Sequence, residues 1–266
     1  MLNVRTVPVT GSTNTDLLAL ARDRAPEGLW LRAERQTGGR GRQGRVWESP
    51  PGNLYASTLV RLRLADPPAP TLALVAAAAL HESVSASIRH PREGGDPASA
   101  ALAIGKGLGS RFRGNDEEGG SEIQIKWPND LLARSGGDAW AKLAGILLER
   151  AGDAVVIGFG VNLAHAPTGL DRPATSVAAL TGAAPDSTMF LESLAAAFAR
   201  ILAEWREDGL DPIRACWLAA AHPVGTQLAT PAGEGLFDGL DETGALRLRL
   251  ADDTVRVIHA GDVFVI

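Results

Sequence analysis

The chain has 266 residues and a formal net charge of -5. That length can bury a substantial core in one large or two smaller domains, and the acidic balance argues against a chain whose main task is to coat nucleic acid, though not against a local basic site. The single cysteine, Cys216, excludes an intramolecular disulfide and any zinc or iron–sulfur centre built on several thiolates. The first residues contain no apolar segment of the secretory kind. The longest apolar stretch, Leu72 to Leu80, is too short to span a bilayer. The expectation is a cytoplasmic protein that does not use a membrane. Of the 26 basic residues, three are lysine: Lys106, Lys126 and Lys142. Codon bias toward arginine explains the ratio. A lysine retained against that bias still marks a position where a compact charge on a flexible stem serves better than a planar fork.

In chain order, Ser12 to Asp16 reads as a capping cluster, followed by a short amphipathic helix through Leu17, Leu18, Leu20 and Ala21 and ended by Gly28. Leu29, Leu31 and Ala33 alternate with polar neighbours and predict a strand. Thr37 to Arg45 is too glycine-rich for a regular element and predicts a loop. Strand character resumes from Asn53 to Leu64, and Thr71 to Ile88 reads as a buried helix. Ile123, Ile125 and Trp127 predict a strand that stops at Pro128-Asn129-Asp130. Further strands are expected at 142–149 and 154–163, then helices at 187–206 and 212–221. From residue 224 onward, short alternating runs separated by Gly, Asp and Thr predict a small all-β unit of about five strands. A boundary near residue 222 divides the chain into residues 1–222 and 223–266. Residues 90–121, rich in Gly, Pro and charge, fit no period. HPREGGDP and SRFRGNDE resemble translated pieces of a repetitive palindromic DNA element, so this stretch reads as a disordered insertion. Lys106 falls inside it and opens no phosphate-binding loop.

Five segments carry chemistry. Gly39-Arg40-Gly41-Arg42-Gln43-Gly44-Arg45, with Trp47 behind it, combines bare backbone with forked donors and suits a polyanion under a flap. A solvated basic loop or an RGG-like RNA contact explains the composition equally well. Lys126-Trp127-Pro128-Asn129-Asp130 places a retained lysine at a sheet rim, although Pro-Asn-Asp alone makes an ordinary turn. Lys142-Leu143-Ala144-Gly145 and Val156 to Leu163, with Gly158 and Gly160, are strands whose glycines can expose backbone to a ligand or simply allow close packing. Ser12-Thr13-Asn14 can cap a helix or read the polar end of a small molecule. No metal-ligand spacing, nucleophile elbow or Rossmann fingerprint is present.

In this order, GSTNTDLL, ERQTGGRGRQGRVWESPPGNLYAS, IKWPND, KLAGILLE, VVIGFGVNL and GLDETGALRL with a closing AGDV resemble one family closely, the biotin protein ligases (biotin–[acetyl-CoA-carboxylase] ligases). The resemblance covers nearly the whole chain outside residues 90–121. It implies an α+β catalytic domain at 1–222 with a mixed, mainly antiparallel sheet, related to class II aminoacyl-tRNA synthetases and lipoate ligases. An SH3-like β-barrel is implied at 223–266. The implied reaction activates biotin with ATP and Mg2+ as biotinyl-5′-AMP, then transfers biotin to a specific lysine of a biotin carboxyl carrier protein of acetyl-CoA carboxylase. By family position, Ser12, Thr13, Asn14, Gln36, Arg40, Gly41, Arg42, Lys126, Gly145 and Gly158 contact biotin. Arg42, Arg45, Trp47, Asn129, Gly160 and Asn162 serve ATP. Lys126 and Arg42 are the implied catalytic groups, and magnesium comes with ATP rather than in a protein cage. The resemblance implies a monofunctional ligase that binds no DNA and allows a homodimer through a sheet edge. A lipoate–protein ligase of the same fold is the nearest alternative. An RNA-binding protein using Arg40, Arg42 and Arg45 is the alternative from another class.

Overall fold

The computed structural model describes residues 2–89, 121–135, 139–169 and 172–265. A seven-stranded sheet is built from β1 (Asn3–Thr10), β2 (Leu29–Gln36), β3 (Leu54–Arg61), β4 (Ser121–Lys126), β5 (Asp130–Ser135), β6 (Ala141–Ala151) and β7 (Ala154–Val161), in the order β1-β2-β3-β7-β6-β5-β4. β1 runs parallel to β2, and every other pair is antiparallel. This is the mixed, mainly antiparallel α+β architecture that the sequence predicts.

Strand alternation sends one face of the sheet to each side. On β7, Val155, Ile157, Phe159 and Val161 join the large core formed with α2 (Leu72–Arg89), α3 (Val177–Thr181), α4 (Ser187–Glu207) and α5 (Leu210–Ala220). α2 is long and apolar enough to cross a membrane by length and composition, but Leu72 and residues 74–80 are buried in the core shared with the sheet and α4. The opposite face holds a smaller cluster in which Leu31, Leu59, Ala154 and Val156 cover Leu17 and Ala21 of α1 (Thr13–Arg22). Helix α1 is short, so the remainder of that face is not roofed by a helix. The site lies there.

Several boundaries differ from the sequence reading. Helix α1 closes at Asp23 and Arg24, the latter in the left-handed region, whereas Gly28 precedes β2 rather than ending the helix. Ser12 takes the N-cap position without a side-chain cap bond, while its neighbours Thr13 and Asn14 bond to Gln36 and Ser57 of the sheet. β1, β5 and α3 have no counterpart in the sequence reading. β1 is an edge strand with a largely exposed pattern, β5 follows directly on the turn at Pro128-Asn129-Asp130, and α3 is only five residues long. Ser121, the last residue of the expected insertion, opens β4, while residues 90–120, including Lys106, lie outside the described residues.

The last segment forms a five-stranded antiparallel sheet of β8 (Gln227–Thr230), β9 (Gly233–Leu240), β10 (Leu246–Arg249), β11 (Val255–Ile258) and β12 (Phe264–Val265), in the order β11-β10-β9-β8-β12. The strands fall where alternation places them, as an antiparallel sheet with β11 and β12 at its edges. It meets the first sheet near Lys126: Trp127 Nε1 donates to the Gly244 carbonyl at 3.3 Å. Ile125, Trp127, Trp217, His222, Phe237 and Val263 line a small cavity at this junction. Burial, with the nearby Lys126 charge, pushes His222 down to about 4. Burial likewise pushes His81 of α2 down to about 4. Both imidazoles are therefore neutral in the fold but protonate in the unfolded chain below about pH 6.5. Their stabilising contribution is complete above that value and is lost as the pH falls toward 4. The chain is expected to be less stable at pH 5 than at pH 7 by about 2 kcal/mol per histidine, measured by urea unfolding. His222→Leu should remove its share of that slope.

Candidate active site on the unroofed sheet face

Register places the site. Across the sheet, Tyr55 of β3 pairs with Gly160, Gly160 with Gly145, Gly145 with Asp130, and Asp130 with Lys126. A row of two bare glycines thus ends at an acid and a lysine. The neighbouring row runs from Ser57 to Gly158 to Leu147. Alternation puts these residues on the α1 face, with Gly158 and Gly160 continuing the parity of Ala154 and Val156. The result is a shelf of main chain with polar groups at both ends.

At the α1 end the polar groups form an ordered set. Thr13 N–H donates to Gln36 Oε1 at 2.8 Å, Thr13 Oγ1 lies 2.7 Å from Ser57 Oγ, and Ser57 Oγ donates to Asn14 Oδ1 at 2.6 Å. Asn14 Nδ2 donates to the Leu147 carbonyl at 3.2 Å and to Glu149 Oε2 at 2.9 Å. Both of those partners only accept, which fixes the amide's orientation. Ser57 therefore commits its one proton to Asn14, and the single Thr13 Oγ1 proton is shared between Ser57 Oγ and Gln36 Oε1, the latter at 3.2 Å. That leaves the Thr13 oxygen able to accept from a ligand N–H. Asn14 fits here because residue 158 is glycine: a Cβ there would come within 2.9 Å of Asn14 Cγ.

The Gly/Arg segment folds over the shelf. It is a loop, as the sequence predicts, with one tight turn at Arg42–Gly44 in which Gln43 and Gly44 take positive φ values of 57° and 73°. Gly41 N–H donates to the Arg45 carbonyl at 2.7 Å and Trp47 N–H to the Gly39 carbonyl at 2.9 Å. The Trp47 indole lies on the two glycines. Its ring is 3.2 Å from where a Gly145 Cβ would stand and 2.6 to 2.8 Å from where a Gly160 Cβ would stand. Its buried Nε1 has no hydrogen-bond partner, a donor left to a ligand.

Cations gather at the far end. Asp130 holds Lys126 Nζ at 2.9 Å with one oxygen and Lys142 Nζ at 2.6 Å with the other. Burial alone would raise the Asp130 carboxyl, but the two lysine charges outweigh it and hold it below its ordinary value. One carboxylate between two ammonium groups leaves a net positive charge facing the shelf. Lys126 is mostly buried and also donates to the Val263 carbonyl at 2.9 Å. Lys142 is more open, at 37% exposure, and stands 5.5 Å from the Trp47 ring. Arg42 donates to Asn129 Oδ1 at 3.5 Å and to the Gly261 carbonyl at 3.1 Å, while Arg45 pairs with Asp262.

The structure brings together Thr13, Asn14, Gln36, Gly145, Gly158, Gly160 and Trp47, with Lys126, Arg42 and Asn129 at one end and Arg40 at the other. Ser12 is buried beside them, and Gly41 lies within the loop turn. Arg45 is the outermost, with 57% of its side chain exposed. Asn162 is buried, and its Nδ2 bonds the Thr175 carbonyl at 3.0 Å and the Lys142 carbonyl at 3.5 Å. It braces the strand of Lys142 instead of opening onto the shelf. Lys142, Asp130, Ser57 and Glu149 belong to the site; the first two lie in the KLAGIL and KWPND segments that the sequence singles out, but none of the four was given a role there. The scarcity of lysine pointed at Lys142. Ser57 carries no signal until register sets it beside Gly158, and Glu149, the last residue of KLAGILLE, gains a place in the site only where register sets it beside Val156.

Residues 6–162 match the Biotin/lipoate A/B protein ligase family, and residues 228–265 match the Biotin protein ligase C terminal domain. A biotin–[acetyl-CoA-carboxylase] ligase of Paracoccus denitrificans is 37% identical, over 96% of this chain and 97% of that protein. One from Mycobacterium tuberculosis is 35% identical, over 97% of this chain and 86% of its own length. Among solved structures, the biotin protein ligase of Aquifex aeolicus in complex with biotin and ATP superposes over 100% of both chains with a TM-score of 0.77 at 21% identity, which shows a shared fold. The match to residues 6–162 spans every strand of the glycine shelf and its polar end, and with these full-length relatives it makes the chain a member of the biotin/lipoate A/B protein ligase family.

Proposed function

We propose that this chain activates the carboxylate of biotin with ATP and transfers the biotinyl group to a specific lysine of a carboxyl carrier protein. One observation carries the reading: a bare glycine shelf with a hydroxyl–amide cluster at one end and paired lysines at the other. A small polar ring with an acidic tail fits that polarity, its ring N–H groups toward Thr13 and its carboxylate toward the lysines.

In the first step a biotin carboxylate oxygen attacks the α-phosphorus of ATP. The bond to the bridging oxygen breaks, and pyrophosphate leaves. Lys142, the more open of the pair, meets the carboxylate and α-phosphate oxygens, and Lys126 adds its charge from behind Asp130. Arg42 and Arg45 face the departing phosphates. Trp47 and Gly160 border the nucleotide. Fixed charges aimed at developing negative charge, with both reactants held in line, supply the rate without a covalent enzyme intermediate. In the second step the carrier lysine nitrogen attacks the acyl carbon, the bond from that carbon to the phosphate oxygen breaks, AMP departs with the oxygen, and the nitrogen loses a proton.

Magnesium enters this proposal on the triphosphate. Asp130 is already committed to two lysines, and no group of three His, Cys, Asp or Glu converges among the described residues. These donors fit a metal-chelated nucleotide better than a resident ion. When bound, magnesium neutralises phosphate charge. We place the reaction in the cytoplasm, where a chain with one buried cysteine needs no oxidising partner.

Incubation with biotin, MgATP and a carrier domain should add one biotinyl mass to a single carrier lysine. Pyrophosphate exchange should depend on biotin and not on lipoate. Exchange supported by lipoate alone would move the chain to the lipoate branch of the family.

A further inference from the structure

The polar cluster is part of a longer chain of hydrogen bonds that starts and ends on the same loop. At one end Ser49 Oγ donates to the Trp47 carbonyl at 3.0 Å, and Gln36 Nε2 donates to Ser49 Oγ at 3.2 Å. The chain then passes through Gln36, Thr13, Ser57 and Asn14 to Glu149. At its other end the second Glu149 oxygen lies 3.8 Å from Arg40, whose guanidinium also donates to Thr15 Oγ1 at 2.7 Å. Trp47 and Arg40 flank the Gly/Arg turn, so both of its flanks are tied to one network. That network runs beneath the position proposed for the biotin ring.

We propose that Glu149 is a positioning residue that couples occupancy of the biotin pocket to closure of the Gly/Arg loop. The inference rests on the biotin-ligase reading above. Glu149 is the sole member of this network that touches the pocket with one oxygen and an arginine of the loop with the other. Its place is set by register: it pairs with Val156 on the α1 face, one step beyond the Leu147–Gly158 pair. A ligand that orders Asn14 thereby fixes the Glu149 carboxylate, and the fixed carboxylate holds Arg40 over the pocket. Conversely, a loop that swings away withdraws a charge from Glu149 and loosens Asn14.

The test uses the full chain and the release rate of labelled biotin. Glu149→Gln retains an oxygen for Asn14 but removes the charge that faces Arg40. Biotin should leave this variant about three- to fivefold faster, the size expected for a half-exposed pair at this separation. Trypsin should also cut after Arg42 and Arg45 faster in the presence of biotin. The discriminating step is a cycle with Arg40→Gln: in that background, adding Glu149→Gln should change the rate by less than about 1.5-fold. A residue that merely supports Asn14 would give the same factor in both backgrounds. Arg40→Lys, a second variant at this position, keeps the charge and should release biotin more slowly than Arg40→Gln. Wild-type release from Glu149→Gln, an equal factor in both backgrounds, or equal losses in Arg40→Lys and Arg40→Gln overturns the coupling. A wild-type chain that does not retain biotin overturns the functional reading, and this inference with it.

Discussion

Lys142→Ala is expected to slow biotin-dependent pyrophosphate release by about 10²- to 10³-fold, the loss typical when one preorganised donor to developing negative charge is removed. The side chain is partly open and reaches the shelf over Gly145 and beside Trp47. Its loss uncovers little apolar surface but leaves the buried Asp130 with one counter-charge in place of two, so the melting temperature should fall by several degrees in a chain that still folds. Lys126→Ala is expected to cost orders of magnitude in the same assay in a chain that still folds. The two variants differ in a second readout. Lys126 also bonds the Val263 carbonyl beside β12, so its removal leaves a buried acceptor unpaired and should lower stability by about 1–3 kcal/mol more. Single-turnover formation of the adenylate separates chemistry from the later transfer. Near-wild-type adenylate formation in Lys126→Ala would assign the chemistry to Lys142 and leave Lys126 a structural tie to the second sheet.

Gly158→Ala is expected to abolish measurable biotin binding while costing several degrees of melting temperature. The added methyl would stand 2.9 Å from Asn14 Cγ, closer than real contacts allow. Asn14 cannot step aside cheaply. Its amide has partners in Ser57, Leu147 and Glu149, and moving it leaves buried donors and acceptors unpaired at about 1–3 kcal/mol each. Gly160→Ala makes a useful contrast. There the methyl meets the Trp47 ring, which sits at the end of a loop and can lift away. Its stability should stay near wild type, while tryptophan fluorescence shifts and the KM for ATP rises by about tenfold or more, since a displaced ring no longer fits the shelf. Calorimetric titration with biotin, thermal melts and steady-state kinetics on both variants read these effects directly. Biotin binding unchanged in Gly158→Ala would show that the pocket lies elsewhere on the sheet.

Much of this could be read from the residues alone, because it depends on local order. The alternation from Leu29 to Ala33 and from Ala154 to Val161, the apolar run of Leu72 to Ile88 and the turn at Pro128-Asn129-Asp130 each encode their element within a few neighbours. The string GRGRQGRVW, KWPND and KLAGIL also carried the family, since no short-range structural need explains that combination. Elements with weak local patterning were not legible. β1 exposes most of its residues, and α3 is barely more than one turn. Chain order likewise gives no hint that Glu149 and Arg40 meet, or that Asn14 rests on Gly158, pairs 109 and 144 positions apart. The retained lysines show the same division. Their scarcity marks Lys126 and Lys142 as unusual, but nothing in chain order tells their surroundings apart. Only the antiparallel pairing of β4, β5 and β6 put one carboxylate between them, buried Lys126 against the second sheet and left Lys142 facing the glycines. Residue type and spacing determined which groups this protein has for its chemistry. Strand register, fixed by which sheet face must be buried, decided which of them share a pocket.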